Sequence, residues 1–256
     1  MNRISFCVLT FNEEKNLARA LKSAQGIADE IIVVDSGSMD RTEEIAREYG
    51  TKLFFRAWTN FGEQRNFAMG QASCEWIYTL DADEELSEEL RASLQDWKKT
   101  EANLNAYEMP RLTWYLGAWI RHSGWYPNLQ RRLYRKSAGR YDGIVHETLV
   151  FSGNAGYLKG NLLHYTVENF AEHEENVERY SALAAQKMFD EGKRKWRGAM
   201  WLATPWNFLQ SFVFRLGFLD GYRGVLIARM NARTTRLKFA KLGKLVLAER
   251  AAKAQK

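Results

Sequence analysis

Short apolar runs alternate with helical stretches through the first hundred residues. Ile4–Leu9 reads as a buried strand closed by Thr10 and Asn12. A helix is expected from about Glu13 to Ala24, with Asn12 suited to cap it and Glu13 and Glu14 suited to its positive end. Glu30–Val34 is a second buried strand, broken by Asp35-Ser36-Gly37-Ser38. Asp40 and Glu43 have capping-box spacing for a helix to about Tyr49, which Gly50 stops. Lys52–Phe55 and Trp76–Leu80 continue the strands, and Phe61–Ala72 and Ser87–Trp97 the helices. Continuously apolar strands in this alternation form a parallel sheet covered on both faces. Such sheets bind ligands outside the carboxyl ends of their strands, so Thr10–Asn12, Asp35–Ser38 and Asp81–Asp83 are the places to look for chemistry.

After residue 105 the alternation fails. Tyr107–Trp114, Gln130–Arg135, Thr148–Phe151 and Tyr157–His164 read as strands joined by glycine-containing turns, then Phe170–Glu191 as a helix. From Trp201 to Met230 the chain is strongly apolar and helical, with Leu202, Phe208, Leu209, Phe212, Val213 and Leu216 at helical spacing on one face. Thr204, Pro205, Asn207 and Gln210 interrupt it, so a membrane crossing is rejected. The organisation expected is a domain over 1–190, its first half 1–105 and second half 106–190, followed by a basic helical tail over 191–256.

Composition adds the charge distribution. From Glu191 onward there are 15 Lys/Arg and 3 Asp/Glu, which leaves 37 − 15 = 22 basic and 31 − 3 = 28 acidic residues before it. The body is mildly acidic and the tail strongly basic, as suits a tail that meets an anionic surface; lipid and nucleic acid both qualify, and lipid is preferred. Basic residues flanking the apolar stretch fit an interfacial helix, while packing on the domain or against a second copy is the alternative. Cys7 and Cys74, each in an apolar run, read as reduced core residues. The first strand begins almost at once, with no secretory leader pattern, and a cytoplasmic protein is expected.

Three polar clusters are expected on one rim. In Thr79-Leu80-Asp81-Ala82-Asp83-Glu84 a buried strand delivers two carboxylates, the oxygen ligands that Mg²⁺ or Mn²⁺ prefers when a diphosphate must be neutralised; an acidic loop before Ser87 is the plainer alternative. Capping explains Asp40 and reaches Ser38, but explains Asp35 less well. Arg111–Arg140 holds seven basic residues, Arg131 and Arg132 among them, with no acid, interleaved with Trp114, Trp119, Trp125 and Tyr134. Aromatic rings stack on sugars and arginine forks match phosphate or carboxylate, so the window suits an anionic glycan, though RNA or an ordinary basic surface would use the same residues.

Val8-Leu9-Thr10-Phe11-Asn12-Glu13-Glu14, Val33-Val34-Asp35-Ser36-Gly37-Ser38, Gln64-Arg65-Asn66 and Leu80-Asp81-Ala82-Asp83-Glu84, in that order and spacing, resemble the family 2 glycosyltransferases over roughly residues 1–165. The resemblance implies an α/β fold of the GT-A type, a Rossmann-like nucleotide-binding domain around a mixed central sheet, to which the reading of the tail adds a C-terminal helical membrane-associating region. It implies donor contacts from Thr10, Asn12, Glu14, Asp35, Ser36, Arg65 and Asp81, a Mg²⁺ or Mn²⁺ ion on Asp83 with Asp81 more distant, and transfer with inversion. The run Tyr141-Asp142-Gly143-Ile144-Val145-His146-Glu147 lies where such enzymes carry the general base. Glu147 is the candidate and Asp142 the reserve, with His146 on the acceptor side beside Arg131, Arg132 and Trp125; a polar strand pair is the alternative for His146 and Glu147.

The basic tail and the Val-His-Glu run are most similar to lipopolysaccharide inner-core glucosyltransferases. The expectation is therefore transfer of a hexose, glucose by this resemblance, from a UDP-sugar to an anionic membrane glycolipid, by an enzyme peripheral on the cytoplasmic face of the inner membrane. The alternatives are a polyprenyl-phosphate glycosyltransferase and a non-catalytic nucleotide-sugar or nucleic-acid binding protein.

Overall fold

The computed structural model describes residues 1–142, 148–151, 153–167 and 170–254. They form two compact units, Met1–Leu112 with Pro127–Tyr165, and Thr113–Tyr126 with Thr166–Lys256.

In the first unit β1 (Ile4–Thr10), β2 (Glu30–Asp35), β3 (Lys52–Phe55) and β4 (Trp76–Asp81) run parallel. Then β5 (Glu84–Leu86), β6 (Ala106–Tyr115), β8 (Asn128–Arg135) and β12 (Leu162–Val167) complete the order β3-β2-β1-β4-β8-β6-β12-β5, in which β8 is antiparallel to both neighbours. This is the mixed central sheet the resemblance implies. The register sets Thr10 beside Asp35 and Leu9 beside Asp81, so three strands end level on one rim. Alternation along β1 explains burial on both faces. Phe6 and Val8 join Trp76, Tyr78 and Leu80 under α1 (Leu17–Ala24) and α4 (Glu88–Lys99). Cys7 joins Ile77, Met69 and Tyr134 under α3 (Phe61–Gln71). Burial pushes the Cys7 thiol up to about 12, so it packs as a neutral hydrophobe beside the buried free thiol Cys74.

Three expectations shift. The first helix begins at Leu17 rather than Glu13, because Asn12 turns left-handed (φ 56°) and its polar groups serve a neighbouring loop instead of a helix end. Asp40 accepts from the Thr42 N–H at the start of α2 (Thr42–Glu48), but Glu43 pairs with Arg47 and closes no capping box. The strand expected over Tyr157–His164 is two: β11 (Ala155–Tyr157), parallel to β6, and β12. Gly160 separates them (φ 91°), where an added Cβ would lie 2.2 Å from the backbone nitrogen of Leu90.

The second unit begins with the end of β6, which pairs with β7 (Ala118–Ile120) across a turn. Helices α5 (Phe170–Asp190), α6 (Arg197–Leu209) and α7 (Tyr222–Ala254) follow. The apolar stretch expected to be helical is divided between α6 and α7 by a π-helical turn (Gln210–Phe214) and a 3-10 turn (Gly217–Asp220). Asp220 causes part of this break: it accepts from the backbone N–H groups of Arg121 and His122, from His122 Nδ1 and from Ser123 Oγ, each at 3.1 Å. No helix among the described residues is long and apolar enough to cross a membrane.

Candidate active site

At the rim, Asp81 ends β4 with both oxygens engaged. Arg65 Nη2 donates to Oδ1 (2.9 Å) and Arg132 Nη2 to Oδ2 (2.6 Å). The same Arg132 nitrogen donates to Glu84 Oε1 (2.6 Å), and Glu84 is fully buried with Arg111 Nη1 3.5 Å away. Burial alone would raise the Asp81 carboxyl; the charges of Arg132 and Arg65 outweigh it and hold it well below the usual range. For Glu84 burial wins, with the Asp81 charge adding to it against Arg132, and its carboxyl is raised. Asp83 is half-buried and receives His164 Nε2 at 3.1 Å from β12, where His164 pairs in register with Glu84.

The other donor candidates divide. Asp35 is buried, and its carboxylate accepts from the N–H groups of Gly37 and Ser38, from Ser38 Oγ and from Thr10 Oγ1. Asn12 Oδ1 accepts from the Met39 N–H and Glu14 Oε2 from the Arg41 N–H. These residues staple the 36–42 loop to the end of β1 and shape the rim. Thr10 and Ser36 line a cleft of about 480 Å³ with Leu9, Phe11, Glu13, Trp58 and Phe61. Phe11, Trp58 and Phe61 are each about half exposed there, with Trp58 and Phe61 edge to face at 4.7 Å. An open cleft walled by aromatic rings at the strand ends can stack a nucleobase. Burial raises the Glu13 carboxyl, and the Asp83, Asp40 and Asp81 charges add to this, which places Glu13 in the same acidic field.

Beyond Asp81 lies a cavity of about 590 Å³ lined by Arg65, Arg111, Arg131 and Arg132 against Asp81 and Glu108. Arg131 and Arg132, expected on the acceptor side, both meet it, although Arg132 is also the internal counter-ion of two acids. Trp125 lies in the second unit, packed on Tyr115 and His173. Asp142 lies in the first unit at the end of β9 (Arg140–Asp142), which pairs with β10 (Thr148–Val150), and it lines a separate depression of about 300 Å³. His146 and Glu147 lie outside the described residues. The strand leading to them is pinned: Asn66 donates to the Tyr141 carbonyl (2.8 Å) and accepts from its N–H (3.0 Å), and the Tyr141 hydroxyl lies 3.1 Å from Thr79 Oγ1. Tyr141 itself lines the arginine cavity.

Sequence reasoning missed Trp58, Phe61, His164, Tyr141 and the Glu84–Arg132 pair as site residues. A legible cue existed for two of them: Trp58 and Phe61 are bulky aromatics in a polar segment outside any strand. A divalent cation fits this rim as an open site. Among the described residues no three His, Cys, Asp or Glu side chains are grouped to cage a metal. Asp83, with His164 Nε2 on it and His164 Nδ1 buried without a hydrogen bond, offers hard and borderline ligands and leaves other positions to phosphate and water.

A mixed sheet that brings hydroxyls, acids and aromatic rings to the ends of its parallel strands defines an α/β protein with its candidate site at the strand ends. Residues 5–166 match the family described as Glycosyl transferase family 2, and the chain belongs to that family. An uncharacterised glycosyltransferase of Rickettsia typhi is 30% identical over 264 residues, covering 98% of this chain and 90% of the relative. The lipopolysaccharide core biosynthesis glycosyltransferase LpsC of Rhizobium meliloti is 29% identical over 245 residues, covering 90% of each. Among solved structures, glucosyl-3-phosphoglycerate synthase of Mycobacterium tuberculosis in complex with Mg²⁺ and uridine diphosphate matches 53% of this chain and 57% of that chain at 17% identity and a TM-score of 0.38. In complex with Mn²⁺, uridine diphosphate and glucosyl-3-phosphoglycerate, that synthase matches 44% of each chain at a TM-score of 0.35, so the chain spans about half the length of that solved protein.

Proposed function

We propose that this family 2 glycosyltransferase moves a hexose, glucose by preference, from a UDP-sugar to an anionic membrane glycolipid of the lipopolysaccharide inner-core kind, with inversion. The observation that carries the reading is the pairing of two different recesses along one rim: an aromatic-walled cleft beside Thr10 and an arginine-lined cavity beside Asp81. The first suits a flat base. The second suits a polar acceptor bearing phosphate or carboxylate, since guanidinium forks bind those groups bidentately. Similarity to LpsC along nine-tenths of both chains supports this class of acceptor.

In the reaction the acceptor hydroxyl oxygen attacks the anomeric carbon as the bond to the diphosphate oxygen breaks. The electron pair leaves with the nucleoside diphosphate, and the hydroxyl proton passes to the base. Glu147 takes that proton in this reading, and the clamp of Asn66 on Tyr141 orients the strand that leads to it, with Asp142 in reserve. Asp83, with Asp81 behind it, would hold Mg²⁺ or Mn²⁺, whose charge neutralises the departing diphosphate. Arg65 and Arg132 keep Asp81 ionised and fixed.

A panel of UDP-, GDP-, CMP- and dTDP-sugars, read by thermal shift and slow donor hydrolysis with Mn²⁺ and with EDTA, tests the donor side. UDP-hexose is expected to stabilise the protein only with metal, and Asp83→Ala to abolish that stabilisation. No response from the folded protein to any donor would overturn the reading in favour of a silent binding protein.

A further inference from the structure

The outer surface of α6 is assembled in the reverse of the usual order for a helix facing water. Its inward residues are small or flexible: Ala199, Met200 and Ala203 pack on Phe239, Leu242 and Val246 of α7. Its large apolar side chains point out, with Trp201 74%, Leu202 76% and Trp206 56% exposed. Burying a tryptophan or leucine gains far more than burying an alanine, so a helix selected for water alone would place them the other way.

The pattern continues past the helix. Phe214 is 65% exposed with its ring 5.6 Å from that of Trp206, and Leu219 and Tyr222 are exposed in turn. Between them Leu216 adopts left-handed backbone (φ 53°), a strained conformation for a leucine, and its side chain is nearly half exposed. A single straight helix would rotate some of these residues under; the π-helical and 3-10 turns keep them all on the surface.

Charge identifies the occupant. From Trp201 to Tyr222 the one acid is Asp220, whose side chain is 4% exposed and engaged by the Arg121–Ser123 turn. The exposed charges in and beside the stretch are Lys195, Arg197, Arg215 and Arg229, while Lys193 further back is paired with Glu191 at 2.7 Å. A second copy would set like charge against like around this face, whereas lipid phosphates complement it. Aromatic and leucine side chains rimmed by lysine and arginine match the headgroup–acyl boundary of a bilayer.

We propose that Trp201–Tyr222 is a lipid-docking face: its aromatic and leucine side chains enter one leaflet of an anionic bilayer while the surrounding basic residues meet the lipid phosphates. The inference does not depend on the donor or acceptor chemistry proposed above. Its test is co-flotation of the full chain with vesicles of phosphatidylcholine containing phosphatidylglycerol, and with vesicles of phosphatidylcholine alone. The protein is expected to float with the anionic vesicles, less so as salt rises. Trp206→Gln with Phe214→Gln, both already in water, should leave the thermal transition unchanged and lower vesicle partitioning about tenfold or more. Donor hydrolysis without vesicles should be unaffected, which keeps a failure of this proposal distinct from a failure of the enzymatic one. Binding equal to the parent's would overturn it, as would lipid-independent self-association of the parent that the double substitution abolishes while flotation persists.

Discussion

Replacing Arg132 by methionine removes the shared counter-ion of Asp81 and Glu84 while nearly conserving volume. Arg132 is 5% exposed, and its Nη2 lies 2.6 Å from each acid. At an effective dielectric of about 20, each attraction is worth roughly 4 kcal/mol at about 4 Å between charge centres, before the cost of desolvating the arginine is deducted. Asp81 would keep Arg65, while Glu84 would keep Arg111 at 3.5 Å as its nearest cation and the Asp81 N–H on Oε2 at 3.1 Å. Breaking one side of a buried pair costs about 3–5 kcal/mol.

Protonation sets a ceiling. A buried Glu84 without its partner can take up a proton, and from an ordinary pKa of about 4.3 this costs about 3.7 kcal/mol at pH 7. Its folded pKa, already above the unfolded value in the parent, rises further, so the variant recovers more stability than the parent as pH falls, by up to about 1.4 kcal/mol per unit down to pH about 5. The assay is urea unfolding in EDTA at pH 7 and pH 5, with Glu84→Gln and the double substitution closing a cycle. The double variant should be more stable than Arg132→Met alone, because no unpaired charge remains. A deficit under about 1 kcal/mol, unchanged by pH and additive in the cycle, would refute the argument and mean that water already solvates the cluster.

Glu147→Gln should abolish transfer while UDP-hexose binding by calorimetry stays close to the parent's; substantial residual transfer would move the base elsewhere, with Asp142→Asn the next variant to assay. Trp58→Ala should weaken UDP binding by about 1–3 kcal/mol, the value of one stacked base, and an unchanged affinity would remove the aromatic cleft from the donor site. Glu30, bonded to Lys52, Ser5, Ser73 and Cys74, illustrates acid sensitivity. Burial opposes its ionisation, but Lys52 and the hydroxyl and amide donors bring its carboxyl down to about 2 from 4.5. A depressed carboxyl stabilises the fold above its unfolded pKa, so the parent's advantage over Glu30→Gln, about 2–3 kcal/mol at neutral pH, should fade as pH falls from about 4.5 toward 2. An advantage that persists in acid would show that packing and not charge supplies it.

The sequence by itself determined the parallel half of the sheet and the rim on which Thr10, Asp35 and Asp81 stand. Each strand is a continuous apolar run of similar length, and the turn residues that end it are adjacent in the chain. Local sterics and burial therefore encode both the strand and its end. The same locality places the starts of α3 and α4, where Asn60 and Ser87 each accept from an N–H three residues on.

Tertiary structure alone decided how the polar residues are employed. Asp81 meets arginines 16 and 51 residues away, and Asn66 clamps a backbone 75 residues away. No local pattern specifies such partners, because they follow from how β8 and β9 pack against β4 and α3. Asn12 had the chemistry of a helix cap, but a left-handed backbone turned it to stapling a loop. The apolar face of α6 was visible as periodicity, which records that large side chains recur on one side and not which side meets the core. Ala199 and Ala203 meet it, since only small residues let α6 and α7 approach closely, and the tryptophans are left facing outward.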